Sequence, residues 1–299
     1  MKTALLVEML EEYRGKDLTL YNFKWGNEKN GILEAVLSIS DYWDESISML
    51  YFGNEFCEYK IPSIQQVEKA VKLCESEQLE FVLVTPVVTD SGIQRLDEIF
   101  AYLQEHKKDI EIIVNDIGIL ALIKSKYPVL KPVLGRIFDK TSHDARAVVE
   151  DLQLYYGKNG LKFAQTPGII SESSLQVYKQ YGVQRYEFDL PKVGLILPDR
   201  GKFSLYWPYS YLTTGRICML RSMELDGKEK FLVGQSVCSQ SCRKFQVEKR
   251  KPQNGYGFEK GKRLTDFYLF QKGNTLFYLN NVEESGLYVK QFDRLVLQI

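Results

Sequence analysis

Histidine is the scarcest of the catalytic residue types here, since the 299-residue chain carries only His106 and His143. Neither stands in a His-Glu-x-x-His arrangement, which excludes the helix-borne zinc-hydrolase motif, and no triad pattern surrounds either one. His106, beside Lys107 and Lys108, reads as a solvated helix end, and His143 as a helix start. A surplus of one charge is also missing. Lys+Arg and Asp+Glu are each 39, so broad electrostatic binding to nucleic acid or anionic membranes is not expected, although a local basic patch is compatible with the balance. No apolar run approaches the ~20 residues needed to cross a bilayer. Residues 1–15 set Glu8, Glu11 and Glu12 within their apolar run and lack a small-residue cleavage site, unlike a signal peptide. With five cysteines, an odd number, and no export signal, a disulfide framework is not expected either. Together these absences predict a soluble protein of the reducing cytoplasm, with no membrane span and with thiols free for other uses.

What is present is ordinary globular composition, 44% hydrophobic and 26% charged, in a chain long enough to bury a large core. Short β-type runs alternate with helical periodicity: Ile47–Phe52, Phe81–Val88, Ile110–Val114, Val129–Ile137, Leu161–Gln165, Gln184–Asp189 and Lys202–Trp207 read as strands. Between them Ile64–Glu77, Ile93–Leu103, Ile117–Lys126, His143–Tyr155 and Ser173–Tyr181 read as helices. Fully apolar strands in repeated βα units imply parallel strands buried on both faces. Seven of them favour an α/β fold of the TIM-like (β/α) barrel type, complete or missing part of its ring. No glycine-rich dinucleotide fingerprint follows the first strand, which weakens the open doubly wound alternative. The expected organisation is a lead-in over residues 1–46, a barrel domain over 47–245 and a small C-terminal β appendage over 246–299. The lead-in holds an amphipathic helix, Thr3–Tyr13, and an apolar run, Ile32–Ser40. The appendage starts as a polar loop, Gln246–Arg263, and continues as a hairpin around Lys272-Gly273-Asn274, with Leu287–Ile299 as a further strand.

Three cysteines cluster late in the chain, in Thr214-Gly-Arg-Ile-Cys218 and Gly234-Gln-Ser-Val-Cys238-Ser-Gln-Ser-Cys242. A soft metal centre needs thiolates that converge, in loops of small and polar residues whose amides can approach the sulfurs. Cys57 follows the first predicted strand in Tyr51-Phe-Gly-Asn-Glu-Phe-Cys57. In a closed barrel the first and last strands are neighbours, so Cys57 and Cys218 would emerge together at the carboxyl ends of the strands. Cys74 falls in series with Val67 and Val71 on a helix and reads as core. Four thiolates satisfy zinc as well as iron, and the residues alone leave that choice open.

These stretches carry a family resemblance. Thr214-Gly-Arg-Ile-Cys218 with Gly234-x-x-x-Cys238-x-x-x-Cys242-Arg243 resembles the cysteine-bearing motif of the collagenase-like peptidase family numbered thirty-two in the unassigned (U) class. Val114-Asn-Asp-Ile-Gly118 and Pro208-Tyr-Ser-Tyr-Leu-Thr-Thr-Gly215 are similar to further stretches of it, and the likeness runs over residues 47–245. Many members place a cysteine on the strand before the Thr-Gly-Arg-x-Cys stretch, but Phe203–Pro208 has none, and Cys57 stands at the end of the first strand instead. That arrangement resembles the UbiU/UbiV-type iron–sulfur branch, which hydroxylates ubiquinone precursors without oxygen. The spacer between Cys218 and Cys238 is longer here than that branch leads one to expect. The resemblance implies a 4Fe–4S cluster on Cys57, Cys218, Cys238 and Cys242, an oxygen-independent hydroxylation of a quinone precursor or an RNA base, and a heteromer with a paralogous family member. The family's name implies peptidase activity as an alternative. A third reading is a non-catalytic binding subunit stapled by iron–sulfur or zinc.

Polar residues at strand ends would line a barrel-mouth pocket. Asn115, Asp116, Arg136, Gln165, Glu187 and Asp189 are the candidates, with Glu187 and Asp189 on one strand face as a potential acid/base pair. Asp116 equally fits a helix cap, and Arg136 a counter-charge to a buried carboxylate. Arg216, Arg221, Arg243 and Lys244 flank the cysteines and could tune a cluster's charge, while Tyr206, Trp207, Tyr209 and Tyr211 could shield it or serve as core.

Overall fold

A computed structural model describes residues 2–21, 46–106, 109–141, 143, 149–232, 238–248, 269–280 and 288–298. Eight parallel strands close into a barrel: β1 (Lys2–Val7), β2 (Met49–Gly53), β3 (Glu80–Val84), β4 (Glu111–Val114), β5 (Lys131–Leu134), β6 (Arg185–Phe188), β7 (Lys202–Trp207) and, from the far end of the chain, β12 (Arg294–Gln298). β12 stands between β1 and β7, with Lys2 opposite Arg294 and Arg294 opposite Ser204. Strand alternation builds two apolar layers. Leu50 and Phe52 point outward to the helices, whereas Met49 and Tyr51 point into the barrel with Ala4, Val82, Ile113, Val133 and Val296.

The helices that cover the barrel follow from local chemistry. α1 (Ile64–Glu77) starts at Ser63, whose hydroxyl accepts from Gln66 N while the Gln66 side chain accepts from Ser63 N. It buries Val67, Ala70, Val71 and Cys74, so Cys74 is core as its spacing predicts. α2 (Asp90–His106) and α3 (Ile117–Lys126) follow β3 and β4. α4 (Val149–Gln165) and α5 (Glu172–Gln180) fill the long connection between β5 and β6. No helix among the described residues is long and apolar enough to cross a membrane.

Three expectations are corrected. Thr3–Tyr13 is not a helix: Lys2–Val7 is a barrel strand and only Leu10–Glu12 turns as a 3₁₀ helix. A short apolar run has no decisive period, and here parallel partners on both sides settle it. Leu161–Gln165 is not a strand but the last turns of α4, because β5 and β6 pair directly and leave no gap for it. The barrel is also not confined to 47–245, since β1 comes from the lead-in and β12 from the expected appendage. The Ile32–Ser40 run, residues 249–263 of the expected loop and the residues just after His143 lie outside the described residues.

A second sheet belongs to the remaining C-terminal segment. β8 (Tyr209–Thr214) leaves β7 and pairs antiparallel with β11 (Thr275–Leu279), which pairs with β10 (Leu269–Lys272), which pairs with β9 (Val247–Glu248). The predicted hairpin turn at Gly273 joins β10 to β11. After β8 the chain makes the short helix α6 (Met219–Met223), and 3₁₀ turns at Gly227–Phe231 and Ser241–Arg243.

Candidate functional site

The carboxyl ends of the strands meet at a charged floor. Arg136, directly after β5, is 0% exposed and saturates its fork. Nε and Nη2 donate to Glu55 Oε1 and Oε2 at 2.9 and 2.6 Å, Nη1 to Asp189 Oδ1 at 2.5 Å, and Nη2 also to Gln298 Oε1 at 2.8 Å. Its guanidinium lies 4.0 Å from the Tyr206 ring centroid. Burial pushes Asp189 up to about 6 and raises Glu55 as well, against the opposing pull of Arg136. Arg136 is therefore the counter-charge that its sequence context allows, for two carboxylates rather than one.

Below this floor Glu187 stands inside the barrel, accepting from Tyr51 Oη at 2.9 Å and Tyr206 Oη at 2.7 Å. Arg294 continues the file, donating to Tyr51 Oη at 2.7 Å and to Glu111 Oε2 at 2.5 Å. Burial raises the Glu187 carboxyl from 4.5 to about 7. The folded chain thus holds this proton more tightly than the unfolded chain, so stability falls as pH rises from about 4.5 through about 7. Glu187→Gln keeps the shape and removes the ionisation. The variant is expected to be more stable than wild type at pH 8, by up to ~3 kcal/mol at 1.36 kcal/mol per pH unit, and to match it below about pH 4. Equal melting curves at pH 8 would show that Glu187 is ionised at no cost.

The other strand-end candidates have structural work. Asp116 caps α3, accepting from Gly118 N at 2.7 Å and Ile119 N at 3.4 Å. Asn115 donates to Thr85 O at 2.9 Å and packs so closely on Gly135 that a Cβ there would sit 2.2 Å from its Oδ1. Gln165 ends a helix and donates to Val193 O at 2.6 Å. Of the six candidates only Arg136 lines the mouth cavity, a space of about 360 Å³ between the strand ends and the second sheet. Glu187 and Asp189 do share a strand, but the first faces two phenols inside the barrel and the second faces Arg136, so neither is open to a ligand as an acid/base pair.

All four predicted cysteines, Cys57, Cys218, Cys238 and Cys242, line one further cavity. Their meeting does not come from neighbouring strands, because β1 and β12 stand between β2 and β7. It comes from β8 crossing into the second sheet and from two side-chain amides. Asn274 Nδ2, in the β10–β11 turn, donates to Phe56 O and Gly215 O, both at 2.6 Å, and so ties the Cys57 and Cys218 loops together. Gln240 Nε2 reaches from the Cys238–Cys242 loop to Tyr59 O at 2.5 Å. Asn54 fixes the Cys57 backbone, accepting from Cys57 N at 2.7 Å. Gly273 takes the left-handed φ of 63° in the turn, which favours glycine, and an added Cβ there would be in ordinary contact with Cys242 Sγ at 3.4 Å.

The side-chain donors lining this cavity include four sulfurs. Burial pushes the Cys57 thiol up to about 12 and raises Cys242, so without metal both stay protonated and a metal would have to displace those protons. The Gln240 N–H points at Cys238 Sγ at 3.4 Å, the kind of contact that stabilises a thiolate ligand. Lys60 stands beside the thiols, its ammonium 2.6 Å from Glu8 Oε2, and its charge opposes the burial of Cys57 and Cys242. Among the described residues no three His, Cys, Asp or Glu side chains converge tightly enough to hold one metal ion. A single zinc ion needs four sulfurs at about 2.3 Å from one point. A four-iron cube binds one thiolate per iron, so its ligands stand further apart.

Sequence reading missed Glu8, Glu55, Lys60 and Gln298. Glu55 lies two residues after β2 and satisfies the strand-end rule applied to the others. Glu8 and Gln298 escape it because β1 and β12 are not recognisable as barrel strands from the sequence. Glu8 joins the two cavities: it lines the mouth, bonds Lys60, and is held at about 2 because the nearby ammonium groups of Lys272 and Lys60 outweigh the effect of its burial. Cys242 and Phe56 also line both spaces, so the cysteine site and the mouth share a wall. No family model, curated protein or solved structure matches the chain.

Proposed function

We propose that Cys57, Cys218, Cys238 and Cys242 hold a 4Fe–4S cluster, and that the protein assists an oxygen-independent hydroxylation or related redox modification of a quinone precursor or an RNA base. The observation that carries this reading is that four thiols from distant segments line one cavity whose wall is shared with the barrel mouth. When bound, such a cluster supplies one-electron transfer. The chain's own groups divide the remaining tasks. The mouth cavity would receive the substrate against Phe56, Phe270 and Phe277, with Cys242 at its edge. The Arg136–Glu55–Asp189 floor closes the strand ends with every Arg136 nitrogen bonded. The resemblance to the collagenase-like peptidase family adds a paralogous cluster-bearing subunit as partner, and the missing export signal with an odd cysteine count suggests the cytoplasm as compartment.

Peptide cleavage draws no support from the histidines. His106 ends α2, at the amino-terminal side of the strands, and stacks on Tyr102 with centroids 4.4 Å apart, while His143 packs on the Tyr211 ring. Anaerobic purification followed by iron and sulfide counts tests the proposal. Equal iron and sulfide with broad absorption near ~400 nm is expected. Zinc in place of iron, or no metal at all, would end the cluster reading. A loaded protein that dithionite cannot reduce would leave the staple and remove the redox role.

A further inference from the structure

Five cationic side chains are buried among the described residues: Lys60, Arg136, Arg185, Arg221 and Arg294. Four of them have a carboxylate oxygen at 2.5–2.6 Å: Lys60 on Glu8, Arg136 on Glu55 and Asp189, Arg185 on Asp293, and Arg294 on Glu111. Arg221 is the exception. It is 3% exposed, and among the described residues no carboxylate pairs with it. Its Nη1 donates to Leu232 O at 2.7 Å, but Nε and Nη2 are buried without a hydrogen-bond partner. A guanidinium in that state is strongly unfavourable, so the position calls for an anion.

Its location says which anion. Arg221 lies on α6 three residues after Cys218, the extended residue that precedes the helix, and stands one side chain back from the cysteine cavity. Its guanidinium covers the Tyr59 ring at 5.2 Å, and Tyr59 lines the cysteine cavity and accepts from the Cys238–Cys242 loop through Gln240. Four thiolates on a four-iron core carry a net negative charge, and one added electron makes it more negative. We infer that Arg221 is the buried counter-charge of the thiol-held group and favours its one-electron-reduced form. This inference rests on the cluster reading above. Arg221 acts through its charge and is a tuning residue, with no bond to a reacting atom.

The test compares wild type, Arg221→Met and Arg221→Lys, each loaded anaerobically with iron and sulfide and titrated with dithionite, which supplies the electron. Arg221→Met is expected to titrate at a more negative midpoint potential, with Arg221→Lys recovering most of the shift. If Arg221→Met takes up no iron while Arg221→Lys does, the charge is needed for assembly and the inference stands. A loaded Arg221→Met with the wild-type potential would overturn it. So would a lysine variant displaced as far as the methionine one, or both variants failing to take up iron, because packing rather than charge would then be at work. Wild-type protein that binds no iron would sink the cluster reading itself, and this inference with it.

Discussion

Cys57→Ala is expected to strip iron from the anaerobically purified protein and to release the segment that carries the other three cysteines. Cys57 is the one ligand candidate held by the barrel, just past β2, whereas Cys218 sits just before α6 and Cys238 and Cys242 at the turn that follows it. That lobe has little apolar interior of its own. Among the described residues of 215–248 none joins the hydrophobic core clusters, and Ile217, Met223, Phe231 and Phe245 are exposed by 49–77%. What holds it is polar: Ser239 and Ser241 on Glu224, Ser222 on Lys230 O, Arg221 on Leu232 O and Gln240 on Tyr59 O. A segment of this size without a core needs a staple, and bound metal then becomes folding free energy. Limited proteolysis should accordingly cut Cys57→Ala within 215–248 while the barrel stays intact. Cys74→Ala is the control. It removes a core side chain that is 2% exposed, and it should lower the melting temperature while leaving iron content unchanged. Full iron retention in Cys57→Ala would show that the four thiols do not act together.

Arg136→Met carries the second large effect, on the barrel itself. The side chain is replaced by one that fills space without charge, and Glu55 and Asp189, 1% and 0% exposed, lose their shared partner. Breaking a buried pair in this way costs ~3–5 kcal/mol, a large part of the ~5–15 kcal/mol that keeps a domain folded. The loss should depend on pH in a defined direction. Burial already lifts Asp189 from 3.8 to about 6 with Arg136 pulling the other way, and removing the arginine raises it further. A carboxyl raised in the folded state takes up a proton on folding, so its penalty vanishes at low pH and grows as pH rises through the folded value. The melting deficit of Arg136→Met should therefore be small near pH 5 and large at pH 8. A deficit independent of pH would mean that the guanidinium matters for packing against Tyr206 and not for the carboxylates.

Both effects converge on residues whose importance was unequally visible before the fold. Cys74 is assigned to the core by its spacing with Val67 and Val71, and the α1 face it shares with them bears that out, because helical period is a local property. Arg136 and Asp189 are recognisable as strand-end residues, yet nothing in the sequence says that they face one another from β5 and β6. Glu8 is the clearest loss. Its stretch has the ambiguous period of a short apolar run, and only pairing with β2 and β12 makes it a strand whose end reaches the mouth.

The amino-acid order alone determined the alternation of buried strands and amphipathic helices, the hairpin at Gly273, the cap at Asp116, and which four thiols stand outside the α-helices. Each of these depends on contacts within a few residues. Tertiary structure alone decided that β12 fits between the first and seventh strands, that two carboxylates share one buried guanidinium, and that Arg221 has no carboxylate partner among the described residues. It also decided the route by which the cysteines meet, through Asn274 and Gln240 rather than through adjacent strands. Such facts need segments up to the whole length of the chain apart to be in contact, and closing those distances is the work of the fold and not of any local pattern.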